Sequence, residues 1–115
     1  MAASKQKMVT LNTEKKAIKL NYSDLRQGVV TLRAVNHRLR QDIIELLSES
    51  EPMTVTDIYV KLRLEQSVAS QHLAILRRAG IVLTDRKGKY IYYTLNTEKL
   101  SLIAKLVENI SEADA

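Results

Sequence analysis

Residues 66–82 read QSVASQHLAILRRAGIV, and this stretch constrains the chain more than any other. Advanced by the helical step of roughly 100° per residue, Val68, Ala69, Leu73, Ile75 and Leu76 gather on one half of a cylinder. Gln66, Ser67, Ser70, Gln71, Ala74, Arg77 and Arg78 gather on the other. Gly80 follows directly and can take the positive φ that ends a helix. The sequence therefore predicts a helix over 66–79 with one flank to bury and one to leave uncovered. Ordinary solvent-facing flanks mix Glu with Lys. This one holds no acid, two amides, two hydroxyls and two guanidiniums.

That inventory suits the edges of base pairs in a DNA major groove. Gln pairs with adenine, Ser donates or accepts, Ala meets a thymine methyl, and Arg takes guanine or phosphate. Upstream, TVTDIYVKL predicts a helix starting at Thr54, where Thr54 and Asp57 have the spacing of a capping box with Asp in place of Glu. The short turn RLEQ would make the two helices a helix-turn-helix, with 66–79 as the reading helix. Gln and Ser also merely solvate a helix, and the helix alone leaves both accounts open. The next segment shifts the balance. IVLTDR and YIYYTL are β-branched and aromatic runs separated by Lys87, Gly88 and Lys89, which predicts a hairpin. Arg86, Lys87 and Lys89 would sit at its tip, within reach of an adjacent groove or backbone.

Elsewhere the apolar spacing is helical. Ala17, Leu20, Leu25, Val29, Leu32 and Val35 predict a helix from 12 to about 36, with 21–23 as the place where it would break. TLNTEK occurs at both 10–15 and 94–99, and in both places Asn followed by Glu reads as a helix start. A second helix is expected from 37 or 38 to 48, ended by SESEP, and a last one from 96 to about 111. The expected fold is mainly α with a β-hairpin, in the order α-α-α-α-β-β-α. On the last helix, Leu100, Ile103, Val107 and Ile110 make one apolar stripe and Leu102 and Leu106 another. That is more apolar surface than one core contact requires.

At 115 residues the chain is long enough for one domain over 1–115. Its net charge of +5 is unevenly spread: 1–40 carries nine Lys/Arg against two acids and 66–95 five against one, while 41–65 and 96–115 are net acidic. There is no cysteine, which excludes disulfides, thiolate metal sites and thiol sensing. No apolar run approaches the ~20 residues of a membrane span, and the first residues lack a signal-peptide core, so a cytoplasmic protein is expected. No Gly-rich phosphate loop, Ser/His/Asp constellation or metal-ligand cluster points to an enzyme.

LRLEQSVASQHLAILRRAGIV followed by DRKGKYIYYTLN resembles the winged helix-turn-helix of the ArsR/SmtB family of bacterial repressors. The pattern reads L-x-L-x-Q-S-x-x-S-x-H-L-x-x-L-R-x-A-G-[LI]-V, then a basic turn, then Y-Y, and the likeness covers about 34–96. The resemblance implies that Gln66, Ser67, Ser70 and Gln71 face bases or nearby phosphates; Arg77 and Arg78, on the same flank of the wheel, are expected to contact DNA as well. It implies that Arg86, Lys87 and Lys89 form the wing, and that the chain is a homodimer through its first and last helices; the acid-free flank and the basic hairpin then predict binding to an imperfect inverted repeat of double-stranded DNA. Several departures stand out. The helix before the reading helix lacks the paired cysteines that many members use for metals, and the last helix has no histidine, so no metal and no cofactor is expected. His72 falls in the apolar arc, which suits packing or a backbone hydrogen bond better than base reading. His37 lacks the proline that commonly follows it, and Arg38 and Arg40 are expected as exposed first-turn charges. Glu65 stands where a capping serine is common. The alternative function is a winged-helix module whose basic wing docks an acidic protein.

Overall fold

The computed structural model describes residues 8–12 and 17–113. Its elements are β1 (Met8–Asn12), β2 (Ala17–Asn21), α1 (Tyr22–Val35), α2 (Arg38–Ser48), α3 (Val55–Leu62), α4 (Gln66–Arg78), β3 (Val82–Lys87), β4 (Tyr90–Leu95) and α5 (Thr97–Ala113). The order α-α-α-α-β-β-α is thus recovered from Tyr22 onward and corrected before it.

The correction concerns the first helix. It begins at Tyr22, where the Asn21 side-chain oxygen accepts the Asp24 N–H at 3.0 Å, so the break near 21–23 is a true helix start. Residues 8–12 and 17–21 form an antiparallel hairpin instead, pairing Val9 with Leu20 and Leu11 with Ile18. Those four aliphatics alternate with period two and share one face. Reading Ala17 and Leu20 at helical spacing takes one residue from each face of a strand, an ambiguity that short apolar runs always carry. Asn12 is the last residue of β1. The Thr13 and Glu14 of that expected helix start lie outside the described residues.

The remaining helices begin and end for reasons visible in their residues. Without a proline, α2 starts because the Nδ1 atom of His37 accepts the Leu39 N–H at 3.1 Å. The capping box of α3 is complete: Asp57 N–H donates to the Thr54 hydroxyl at 3.2 Å, and Thr54 N–H donates to the Asp57 carboxylate at 3.1 Å. At the end of α4, Gly80 has φ +77. Its N–H donates to Arg77 O at 3.0 Å and the next N–H, of Ile81, to Leu76 O at 2.9 Å, the paired bonds of a Schellman stop.

Asn96 then ties three elements together. Its N–H donates to Ile81 O at 2.8 Å, its side-chain amide donates to Gly80 O at 3.0 Å, and its side-chain oxygen caps α5 through Lys99 N–H at 3.2 Å. The second TLNTEK copy is therefore the helix start that its residues predict. Between α4 and α5, β3 and β4 pair antiparallel, and Met53 adds a short bridge to Tyr93 through bonds of 3.2 and 2.7 Å. The core is built where these elements converge, with Ile43 of α2, Ile58 of α3, Leu73 and Leu76 of α4, and Ile81 and Val82 at the base of the wing all fully buried.

A β-carbon at Gly80 would meet only the tip of Lys99, at 3.6 Å, so space is not what requires glycine there. The backbone is. Gly80→Ala is expected to lower stability by about 1–2 kcal/mol, the left-handed penalty of an L-residue, read as a lower urea midpoint with an unchanged slope.

Candidate nucleic-acid interface

Helix α4 is anchored by one flank. Ala69, Leu73 and Leu76 are buried, with Val68 and Ile75 half-buried beside them, as the wheel requires. Gln66, Ser67, Ser70, Gln71, Ala74, Arg77 and Arg78 are all exposed. This follows from rotation: once Leu73 and Leu76 join the core, every residue on the opposite arc must face out. The N-terminus of α4 carries no side-chain cap, because Glu65 stands at the cap position without bonding back. Its first-turn N–H groups have no side-chain partner from that residue, and the Glu65 carboxylate is itself exposed.

The wing is a two-residue hairpin. Gly88 has φ +64 and Lys89 has no positive φ, the pattern of a type II′ turn. Its three cations are exposed but do not act alike. Lys87 lies over the Tyr92 ring at 5.9 Å and Lys89 over the Tyr90 ring at 5.4 Å, so both ammonium groups are held on aromatic faces. Arg86 sits on the other face of the strand, and its Nε donates to Gly88 O at 3.1 Å, which spends one donor on bracing the tip.

Two grooves join helix and wing. One, of about 440 Å³, is lined by Ser70, Ala74, Arg77 and Arg78 of α4 together with Val55 and Tyr93. The other, of about 560 Å³, runs between Thr54–Asp57 and Lys89–Tyr93. Val55 and Tyr93 border both. The structure therefore brings Ser70, Arg77 and Arg78 into one concavity that continues toward Lys89, while Gln66, Ser67 and Gln71 stand outside either groove. Tyr93 and Thr56 were not singled out in the sequence. The wing Tyr pair gave a signal for the first; nothing marked Thr56.

The profile of the arsR family of bacterial regulatory proteins matches residues 38–84. The transcriptional repressor PagR of Bacillus anthracis is 34% identical over 92 residues, spanning 80% of this chain and 92% of PagR. This chain belongs to the arsR family. The transcriptional activator HlyU of Vibrio cholerae is 33% identical over 84 residues, 73% of this chain and 77% of HlyU. The crystal structure of PagR superposes with a TM-score of 0.63, covering 75% of this chain and 98% of PagR. The homodimeric winged helix-turn-helix DNA-binding domain Mb0332 of Mycobacterium bovis superposes at 0.67, with 22% identity, over 90% of this chain and 91% of that one; at that identity the likeness concerns fold. The ArsR/SmtB resemblance is confirmed, and within the arsR fold α3 and α4 are the helix-turn-helix and β3–β4 the wing. Among the described residues no helix is long and apolar enough to cross a membrane, and no group of three or more His, Cys, Asp or Glu is placed to hold a metal.

Two side chains differ from expectation. Arg40 is half-buried: its Nε donates to Ala34 O at 2.7 Å, its Nη2 to Arg33 O at 3.4 Å and its Nη1 to His72 Nδ1 at 3.2 Å. Arg38 is exposed, as expected. His72, turned inward, bonds this guanidinium instead of a backbone group, and its ring centroid lies 4.7 Å from that of His37. Burial above all, then the charges of His37 and Arg40, lowers the His72 pKa below the ordinary 6.5.

A histidine with a depressed folded-state pKa takes up its proton more readily when unfolded, so stability holds above pH 6.5 and declines as pH falls from there to the folded value. Urea midpoints measured from pH 7.5 down to 5.5 are expected to fall more steeply for the parent chain than for His72→Asn.

Proposed function

We propose that this chain is a dimeric, sequence-specific DNA-binding transcriptional repressor, a single winged helix-turn-helix unit that reads an imperfect inverted repeat and carries no thiolate or histidine metal sensor. The observation that carries the reading is the outward flank of α4, which is exposed over its whole length and free of acids, beside a wing tip bearing Arg86, Lys87 and Lys89. Gln66, Ser67, Ser70 and Gln71 supply base-edge donors and acceptors, while Arg77, Arg78 and the wing lysines supply charge toward phosphate. The tyrosines under Lys87 and Lys89 restrict those side chains, which reduces the entropy lost on contact. PagR is a repressor and Mb0332 a homodimeric DNA-binding domain, which supports the same reading here. A dimer seated on an operator represses by excluding other proteins from that DNA.

The dimer surface we assign to α1 and α5. Leu100 and Ile103 of the first α5 stripe join the core, but Leu102, Leu106, Val107 and Ile110 stay exposed, by 46% to 68%. Leu25, Val29 and Val30 of α1 are exposed as well. Leu106 and Ile110 face Leu25, Val29 and Leu32 across an apolar groove of about 520 Å³, and Met8 and Leu20 of the N-terminal hairpin extend it. The radius of gyration is 17.7 Å, against about 13 Å for a globule of this length. A molecule drawn out in this way, with aliphatic faces uncovered, is one that a second copy completes.

Selecting bound fragments from random duplex DNA tests the assignment. The expected product is an imperfect inverted repeat with half-sites about one helical turn apart or a small multiple. On that sequence, Gln71→Ala is expected to blur discrimination at one position by about 1–3 kcal/mol, while Lys87→Ala weakens all duplexes alike and reduces the salt slope by about 1. No enriched sequence, with tight capture of an acidic protein through the wing, would transfer the assignment to a protein-docking module. Leu106→Glu is expected to give a monomer in sedimentation velocity and to bind the repeat no better than one half-site; a dimer that binds like the parent removes the α1/α5 interface.

A further inference from the structure

We propose that Arg40 and His72 form a positioning bridge through which α1 sets the orientation of α4, so that the DNA-reading flank is held in place from the dimer side of the molecule. The inference rests on the DNA-binding reading above and names what holds that site in register.

Arg40 stands in the first turns of α2 but spends its donors on other elements. Nε and Nη2 go to Ala34 O and Arg33 O, in the last turn of α1, and Nη1 goes to His72 in the middle of α4. Gln41 adds a bond from Nε2 to Val35 O at 3.0 Å. The terminal carbonyls of α1 are thus satisfied by side chains of α2, and the positive guanidinium meets the negative end of the α1 dipole. A guanidinium has no acceptor, so His72 Nδ1 must accept; the ring proton is on Nε2 and the ring is neutral. Its lowered pKa agrees with that state. From α2 and its cap, the charged or titratable groups that face His72 are Arg40 and His37, the latter's ring oriented by its own cap bond to Leu39. From the end of α1, the backbone oxygens of Ala34 and Arg33 reach the bridge.

His72 follows Gln71 directly and Ser70 by two residues. Because α4 is stiff, any roll or slide at His72 is passed undiminished to those side chains, and a base-reading site works only when held to within about 0.5 Å. The buried leucines resist separation of α4 from the core. They do so without direction, since apolar contact tolerates small slides. The bridge supplies direction, because a hydrogen bond fails steeply with angle.

The test uses the full chain on the selected operator. His72→Leu keeps an apolar body and removes the acceptor; His72→Asn puts an amide oxygen near the Nδ1 position. Arg40→Lys keeps charge but not the fork. His72→Leu and Arg40→Lys are expected to bind about tenfold more weakly or worse, the scale of one charge-assisted bond, while His72→Asn stays within about threefold of the parent. Circular dichroism and sedimentation are expected to report folded dimers throughout. The parent's affinity is expected to fall from pH 7.5 to 5.5 more than that of His72→Asn, because protonated His72 can no longer accept from Arg40. Should Arg40→Lys fail to fold, the two His72 variants and the pH profile decide. If His72→Leu binds like the parent, or His72→Asn loses as much as His72→Leu, the bridge has no positioning role. A parent that binds no duplex overturns the DNA-binding reading itself, whereas a parent that binds alongside unaffected variants overturns this inference alone.

Discussion

Burial of Leu73 and Leu76 among Ile43, Ile58 and Val82 decides which flank of α4 turns toward the core, and the character of the opposite flank follows from that choice. Each of these leucines, essentially without exposure, contributes about 1.5–3 kcal/mol by leaving water. Exposed substitutions away from special features change stability by only about 0.5 kcal/mol. Folding therefore dictates one half of the helix and leaves the other half almost free. Gln66, Ser67, Ser70 and Gln71 occupy positions where stability makes no demand, which is why an acid-free surface there points to a partner.

A single helix held by apolar contact would be placed only roughly. Three polar junctions sharpen it. Gly80 ends α4 within one residue, and Asn96 binds the two carbonyls that follow, so the base of the wing and the start of α5 are referred to the same point. The bridge through Arg40 does the same at the middle of α4, from the side of α1. The Met53 bridge to Tyr93 holds the wing against the segment that leads into α3. Each junction has its partners at 2.7–3.4 Å, and no buried side-chain nitrogen or oxygen among the described residues lacks a partner.

The surface formed by the N-terminal hairpin, α1 and α5 obeys a different logic. There the apolar residues of the hairpin, α1 and α5 are not consumed by the core, and two paired strands alone are marginal in water. One side of the fold thus has polar groups without apparent structural need, and the other has apolar groups without cover. Placing DNA on the first and a second copy on the second accounts for both excesses with one assembly.

Much of this was legible in the chain. The flank of α4, its glycine stop, the Thr54/Asp57 box, the Asn96 cap and the wing depend on residues close in sequence, where helical period and turn chemistry operate directly. The N-terminal hairpin was not, because its four alternating aliphatics admit a helical reading, and the choice between the two is made by pairing between strands. The distinct states of Arg86, Lys87 and Lys89 were likewise hidden: strand register decides which face each takes and which tyrosine it meets. Arg40 looked like an exposed charge, and His72 like a packed ring, because 32 residues separate two groups that end 3.2 Å apart. Sequence by itself determined the family, the helices that read as a winged helix-turn-helix, and which flank of α4 faces out, since these rest on local periodicity. Only tertiary structure decided the hairpin, the wing geometry and the α1–α2–α4 junction, since those rest on contacts between distant segments that no local pattern encodes.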